Sequence, residues 1–270
     1  MAEHVELNGV VLLVERAGAG APTVVFVHGS WDDHSTWNRV ASAVDGTVVS
    51  YDRRGHSGSR QPLGQGSIDE DVDDLVALIE WIDRGPVAVV GHSYGATMSL
   101  LVACRRPDLI HHIVAHEPPL FAVLRDDPLH AASLADVLAA MQHAADCIES
   151  GRPEEGAAYF VEHVGFGPGV WDGVFDDEER AIIVANADTW LDQYRDPRRL
   201  ALSLDDLAAT EVPVLITRGN RSPALYGPAL DRVLAAAPFL SSLTIDGCGH
   251  AVAHTHPAEL AAAVNEFVAS

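Results

Sequence analysis

Gly91-His92-Ser93-Tyr94-Gly95 separates two runs of different character. Before it, Pro86–Val90 is apolar and of strand length. After it, Ala96–Arg105 has helical spacing and good helix formers. A chain that turns sharply from strand to helix needs small residues at the turn, because bulky neighbours clash there. The residue at the apex, Ser93, is then held in a strained backbone conformation. The turn pushes the Ser93 hydroxyl into a cleft at the top of a sheet. It also sets the Tyr94 N–H at a helix N-terminus, where developing negative charge is favoured.

Outward from this stretch, strand-like and helical patterns alternate. Val5–Leu7 and Val10–Arg16 flank Asn8-Gly9, a strong hairpin signal. Thr23–Val27, Gly46–Tyr51, Ile110–Ala115, Val212–Thr217 and Ser241–Ile245 read as strands. Ser35–Val44, Asp69–Arg84, Pro228–Ala236 and Pro257–Val268 read as helices. Such alternation predicts an α/β fold with a mostly parallel central sheet flanked by helices. Between about 119 and 209 the strand-like runs stop and acidic helices take over: Ala131–Ser150, Arg152–Val164, Asp177–Tyr194 and Pro197–Leu207, with a glycine-rich break at Gly165–Gly173. The expected organisation is a core of residues 1–118 and 210–270, with an inserted helical cap at 119–209.

The chain has 270 residues, with 39 acids against 17 bases, all arginine, for a net charge of −22. That balance argues against nucleic acid or an anionic membrane as partner. It favours an uncharged, largely apolar small molecule over an anionic one. No apolar run reaches the roughly 18 residues of a membrane span. The N-terminus lacks a basic patch and apolar core, and the three cysteines show no paired spacing, so a cytoplasmic protein is expected, as a monomer or homodimer.

The order His28-Gly29, Asp52-x-x-Gly55-x-Ser57, Gly91-x-Ser93-x-Gly95 and a late Gly249-His250 resembles the α/β-hydrolase superfamily, and most of all its capped, cofactor-free serine esterases and lactonases. The resemblance covers the sheet portion. It implies Ser93 as nucleophile, His250 as the base that activates it, and the backbone N–H groups of Ser30 and Tyr94 as the oxyanion hole, with no cofactor. The sequence departs from the commoner pattern at the third catalytic member. The loop Arg218-Gly219-Asn220-Arg221-Ser222-Pro223, where many relatives carry an acid, has none. Glu117 follows strand Ile110–Ala115, the position of the acid in certain haloalkane dehalogenases, and is the expected partner of His250. Asn220 as a neutral orienter and Asp246 are the alternatives.

Trp31, Met98, Trp171 and Trp190 are candidates for an apolar substrate pocket, with ordinary core packing as the competing reading. His28, His56 and His92 read as structural hydrogen-bond formers. His254 and His256 invite a zinc reading with His250, but no acid or cysteine lies at suggestive spacing, so no metal is expected. The expected activity is hydrolysis of a small, largely apolar carboxylic ester or lactone through a Ser-His-acid triad. C–C bond or amide hydrolysis by the same residues, and a ligand-binding protein without turnover, are the rivals.

Overall fold

A computed structural model describes residues 1–61, 64–199 and 202–270. β1 (Ala2–Leu7) and β2 (Val10–Gly18) form an antiparallel hairpin. Asn8 and Gly9 both take positive φ, 50° and 77°, as a tight two-residue turn demands. β3 (Thr23–Val27), β4 (Thr47–Tyr51), β5 (Val87–His92), β6 (Ile110–His116), β7 (Val214–Gly219) and β8 (Ser241–Ile245) complete an eight-stranded sheet. The order is β1-β2-β4-β3-β5-β6-β7-β8, with every pair from β4 to β8 parallel. β3, β4 and β5 are buried along their whole length, which explains their uninterrupted runs of small and apolar side chains.

Side chains alternate between two cores. Val24 and Phe26 pack with Trp37, Leu260 and Val264 on one face; Val25 and Val27 pack with Leu75, Leu78 and Leu100 on the other. α1 (Asn38–Ala41) is short, because the preceding His34–Trp37 forms a 3₁₀ turn tied down by its contacts with Asp52. α2 (Ile68–Ile82) turns Val72, Leu75 and Ile79 to the sheet, and α3 (Tyr94–Arg105) is buried on nearly every side. The chain leaves β3 toward β4 and returns to β5 on its other side. That reversal opens a crevice at the carboxyl ends of β3 and β5, where open α/β sheets take ligands.

Between β6 and β7 the chain is helical: α4 (Ala131–Glu149), α5 (Pro153–Phe160), α6 (Val170–Gly173), α7 (Asp177–Ala185), α8 (Ala187–Arg195) and α9 (Leu204–Ala209). The sequence pattern predicts one helix over Asp177–Tyr194, but the structure breaks it at Asn186. The Asn186 amide donates to the Trp31 and Asp32 carbonyls at 3.1 and 3.0 Å and accepts from Ser57 N at 3.1 Å. These bonds strap the helical layer to the loop after β3. The helix predicted over Arg152–Val164 ends at Phe160 and widens into a π turn at Val161–Gly165. Of the helix predicted over Pro197–Leu207, only α9 is present, capped by Ser203; Leu200 and Ala201 lie outside the described residues. Leu207 sits in the core on the α3 side of the sheet. α10 (Tyr226–Ala236), α11 (Val252–Thr255) and α12 (Pro257–Val268) close the chain. Among the described residues no helix is long and apolar enough to cross a membrane.

Candidate active site

At the β5–α3 turn Ser93 has φ 54° and ψ −120°, outside the allowed regions for an L-residue. Such strain costs on the order of 1–3 kcal/mol and persists only where the surroundings enforce it. Here they do. Ser93 N donates to His116 O at 2.9 Å, and Thr97 N to Ser93 O at 3.1 Å. A Cβ on Gly91 would lie within 2.6 Å of Gly95 O, Ser99 Oγ and Ala96 Cα; one on Gly95 would run into the Val27 and His28 carbonyls. Only glycine fits either position.

The Tyr94 side chain is anchored below the turn, its hydroxyl on Asp71 Oδ2 at 3.1 Å and its ring 4.7 Å from the Arg53 guanidinium. As a first-turn residue its N–H has no acceptor within the helix. Across the crevice, Arg53 Nη2 donates to Gly29 O at 3.0 Å and His56 Nε2 lies 3.1 Å from Ser30 O, which fixes the loop after β3. The Ser30 N–H has no acceptor among the described residues. Ser30 and Tyr94 line the same cavity as Ser93.

Glu117 follows β6 with φ 45°, a second strained residue at the same sheet edge. Its N–H donates to Thr217 O, which holds it beside β7. Glu117 Oε1 accepts from Gly219 N at 2.8 Å and Ser222 Oγ at 2.5 Å; Oε2 lies 2.8 Å from His250 Nδ1. Both residues are buried. A carboxylate at Nδ1 places the ring proton there and leaves Nε2 as acceptor. The Tyr226 hydroxyl lies 3.1 Å from Nε2, and the Tyr226 ring stacks on the imidazole with centroids 4.5 Å apart. Tyr226 and Ser93 line the same cavity. Burial, and then the neighbouring His92, hold the His250 imidazole well below its ordinary pKa, while the Asp32 carboxylate works the other way. Burial thus favours the neutral ring. Burial, with Glu117 adding to it, holds the Tyr226 phenol protonated.

Above Ser93 lies a cavity of about 140 Å³ between the sheet edge and the helical layer. Ser30, Ser93 and Tyr94 form its floor; Met141, Phe160, Val164 and Trp190 give it an apolar roof. A cavity of that size holds a ligand about as large as benzene.

The sequence pattern that defines the alpha/beta hydrolase family matches residues 24–263. This chain belongs to the alpha/beta hydrolase family. It is 25% identical over 280 aligned positions to the 2-(acetamidomethylene)succinate hydrolase of Mesorhizobium japonicum, covering 99% of this chain and 95% of that one. It is 28% identical over 272 positions to lipase LipV of Mycobacterium tuberculosis, covering 94% and 96%. An alpha/beta hydrolase structure from Sphaerobacter thermophilus superposes with a TM-score of 0.79 at 24% identity, over 98% of this chain and 99% of that one, a likeness of fold.

Within this hydrolase the remaining sequence-predicted residues divide. Trp190 lines the cavity; Trp31, Met98 and Trp171 do not. Trp31 points away from it and stacks on Trp190 at 4.9 Å as packing for the roof. Met98 lies on the face of α3 turned into the sheet core and is fully buried there. Trp171 packs against the roof's own cluster, its N–H held by Glu162 Oε1 at 2.7 Å. Asn220 and Asp246 bond each other at 3.0 Å at the exposed end of the sheet, and Asn220 also takes Gly247 N; neither approaches His250 Nδ1. His254 lies between Glu179 and Thr36, and His256 against Thr255, so the three late histidines do not converge. His28 accepts from Arg53 N at 2.9 Å, and burial lowers the His56 pKa to about 3, as befits buried structural rings. The sequence reading passed over Tyr226, Gln193, Thr97, Arg125 and Arg199, which also line the cavity. No local motif marks any of them.

Proposed function

We propose that this chain is a serine hydrolase that cleaves a small carboxylic ester or lactone, with residues 119–209 as the cap over its site. The observation that carries the reading is the buried 2.8 Å contact between Glu117 and His250 Nδ1 beside a strained Ser93. Substrate entry displaces the Tyr226 hydroxyl from His250 Nε2. Ser93 Oγ then attacks the carbonyl carbon and its proton passes to Nε2. The Ser30 and Tyr94 N–H groups take the negative charge that develops on the carbonyl oxygen, each worth on the order of 3 kcal/mol. Collapse of the tetrahedral intermediate expels the alkoxide, which receives the proton from Nε2. Water, activated by the same imidazole, releases the acid and restores Ser93.

Amide hydrolysis by the same residues is the second reading, favoured by full-length similarity to a protein named as the hydrolase of an acetamidomethylene succinate. A fluorophosphonate should label wild-type protein at Ser93 and leave Ser93→Ala untouched. Turnover of short p-nitrophenyl esters, lost in the same variant, supports the ester reading. Turnover of anilides alone supports the second. An unlabelled wild type that still binds small ligands would leave a binding protein on a hydrolase fold.

A further inference from the structure

The cavity over Ser93 is apolar except at a few groups, and several of their polar atoms are without partners among the described residues. Gln193, 7% exposed, offers both an amide N–H₂ and a carbonyl oxygen, and neither finds a partner among the described residues. Thr97 Oγ1, on the floor, is likewise buried and unpartnered. Buried polar atoms are nearly always satisfied in folded proteins, and those left open at a cavity wall await a ligand.

Two arginines line the same space. Most of this acidic chain's arginines sit on carboxylates, among them Arg53 on Asp71, Arg54 on Asp74 and Arg195 on Glu149. Arg125 and Arg199 have no carboxylate within 4 Å among the described residues. Arg199 is nonetheless held in place: Nη1 donates to Asp196 O at 3.0 Å, and the guanidinium lies 5.3 Å from the Tyr194 ring. Among the described residues its remaining N–H groups have no acceptor. Planar guanidinium donors lining the same cavity as an unpartnered primary amide match the two oxygens of a carboxylate.

We infer that the substrate carries a carboxylate, bound by Arg199, Gln193 and Arg125 at the cap side of the cavity, while its reacting carbonyl lies over Ser93. The apolar walls take the short carbon chain between the two ends. This deepens the serine-hydrolase reading and rests on it for the reaction, though not for the ligand. It also replaces the expectation of an uncharged substrate drawn from the net charge of −22. The overall charge sets the distant field; the two arginines that have no carboxylate partner among the described residues set the charge preference inside the site.

Monomethyl succinate and methyl succinamate have nearly one shape and differ by the charge. At about pH 7.5 the free acid is ionised. The acid ester should be turned over with kcat/KM at least about tenfold higher. That ratio should fall toward one in Arg199→Gln and in Gln193→Leu, and by a smaller factor in Arg125→Gln. Titration of the same two molecules into Ser93→Ala should show the same preference as binding. Equal binding of both, or a preference that survives Arg125→Gln/Arg199→Gln, overturns the inference. If a fluorophosphonate fails to label Ser93, the hydrolase reading falls, and the titration still decides the ligand. Arg125 is exposed, so its variant tests the charge without disturbing the fold.

Discussion

The floor and the roof of the cavity over Ser93 are built on different principles. On the floor the Glu117, His250 and His92 side chains are tied into one hydrogen-bonded set, and Thr97 Oγ1 is left open. Glu117 spends one carboxylate oxygen on Gly219 N and Ser222 and the other on His250, and His92 Nε2 sits 2.9 Å from His250 O. The roof is stacked aromatics, Trp31 on Trp190 on Tyr194, over an alanine-rich α4, with Gln193 left open. Chemistry needs atoms fixed to a fraction of an ångström, and shared hydrogen bonds do that. Holding a substrate needs shape and a few polar contacts that the protein alone does not satisfy. Changes on the floor should therefore act on kcat, and changes in the roof on KM and selectivity.

Glu117→Gln tests the floor most severely. The amide keeps the shape and can still accept from Gly219 N, but it no longer stabilises an imidazolium or fixes the Nδ1–H tautomer. kcat should fall about 10³–10⁴-fold with KM nearly unchanged, measured on any ester the wild type accepts. A loss of less than tenfold would return the orienting role to Asn220 or Asp246.

Asn186 joins the two regions and is the next largest lever. Asn186→Leu leaves the Trp31 and Asp32 carbonyls and the Ser57 N–H buried without partners. The expected loss is about 2–3 kcal/mol of stability, seen as a drop of several degrees in Tm. Because the roof loosens while the floor stays intact, KM should rise more than kcat falls. An unchanged Tm, or a loss confined to kcat, would break the division between the two regions.

The same division governs what the sequence discloses. Thr23–Val27 and Val87–Val90 are buried on both faces, so burial itself writes an uninterrupted run; Gly91 is dictated by contacts within a few residues, and Gly95 by the Val27 and His28 carbonyls of the neighbouring strand end. Floor residues sit at strand ends, and strand ends can be located from such runs. That Glu117 reaches Nδ1 depends on its N–H pairing with Thr217, a contact 100 residues distant, which no local pattern encodes. Helical periodicity gives Met98 a face but not the direction that face points, and of its two readings, pocket and core, the fold realises the core. In the roof, apolar periodicity runs straight through Asn186, and only its bonds to the loop after β3 reveal the break. Gln193 and Arg199 are ordinary polar residues in sequence; their missing partners are visible only in three dimensions.

Tyr226 lines the cavity and stacks on His250 and edge-on to Phe121, and it carries the smallest effect. Only the neutral imidazole accepts the Ser93 proton, so activity is lost as pH falls through the His250 pKa. Burial holds that pKa well below 6.5, and the acid limb of kcat/KM should accordingly lie below pH 6.5. With Nδ1–H facing Glu117, the Tyr226 hydroxyl donates to Nε2, which stabilises the neutral ring further. Tyr226→Phe keeps the stacked ring and removes that donor. A neutral hydrogen bond is worth about 1 kcal/mol, or somewhat under one pKa unit. The acid limb should move up by roughly that amount, with kcat changed by less than about tenfold. A limb that moves down, or a loss of kcat beyond about a hundredfold, would put the Tyr226 hydroxyl on the reacting atoms rather than beside the base.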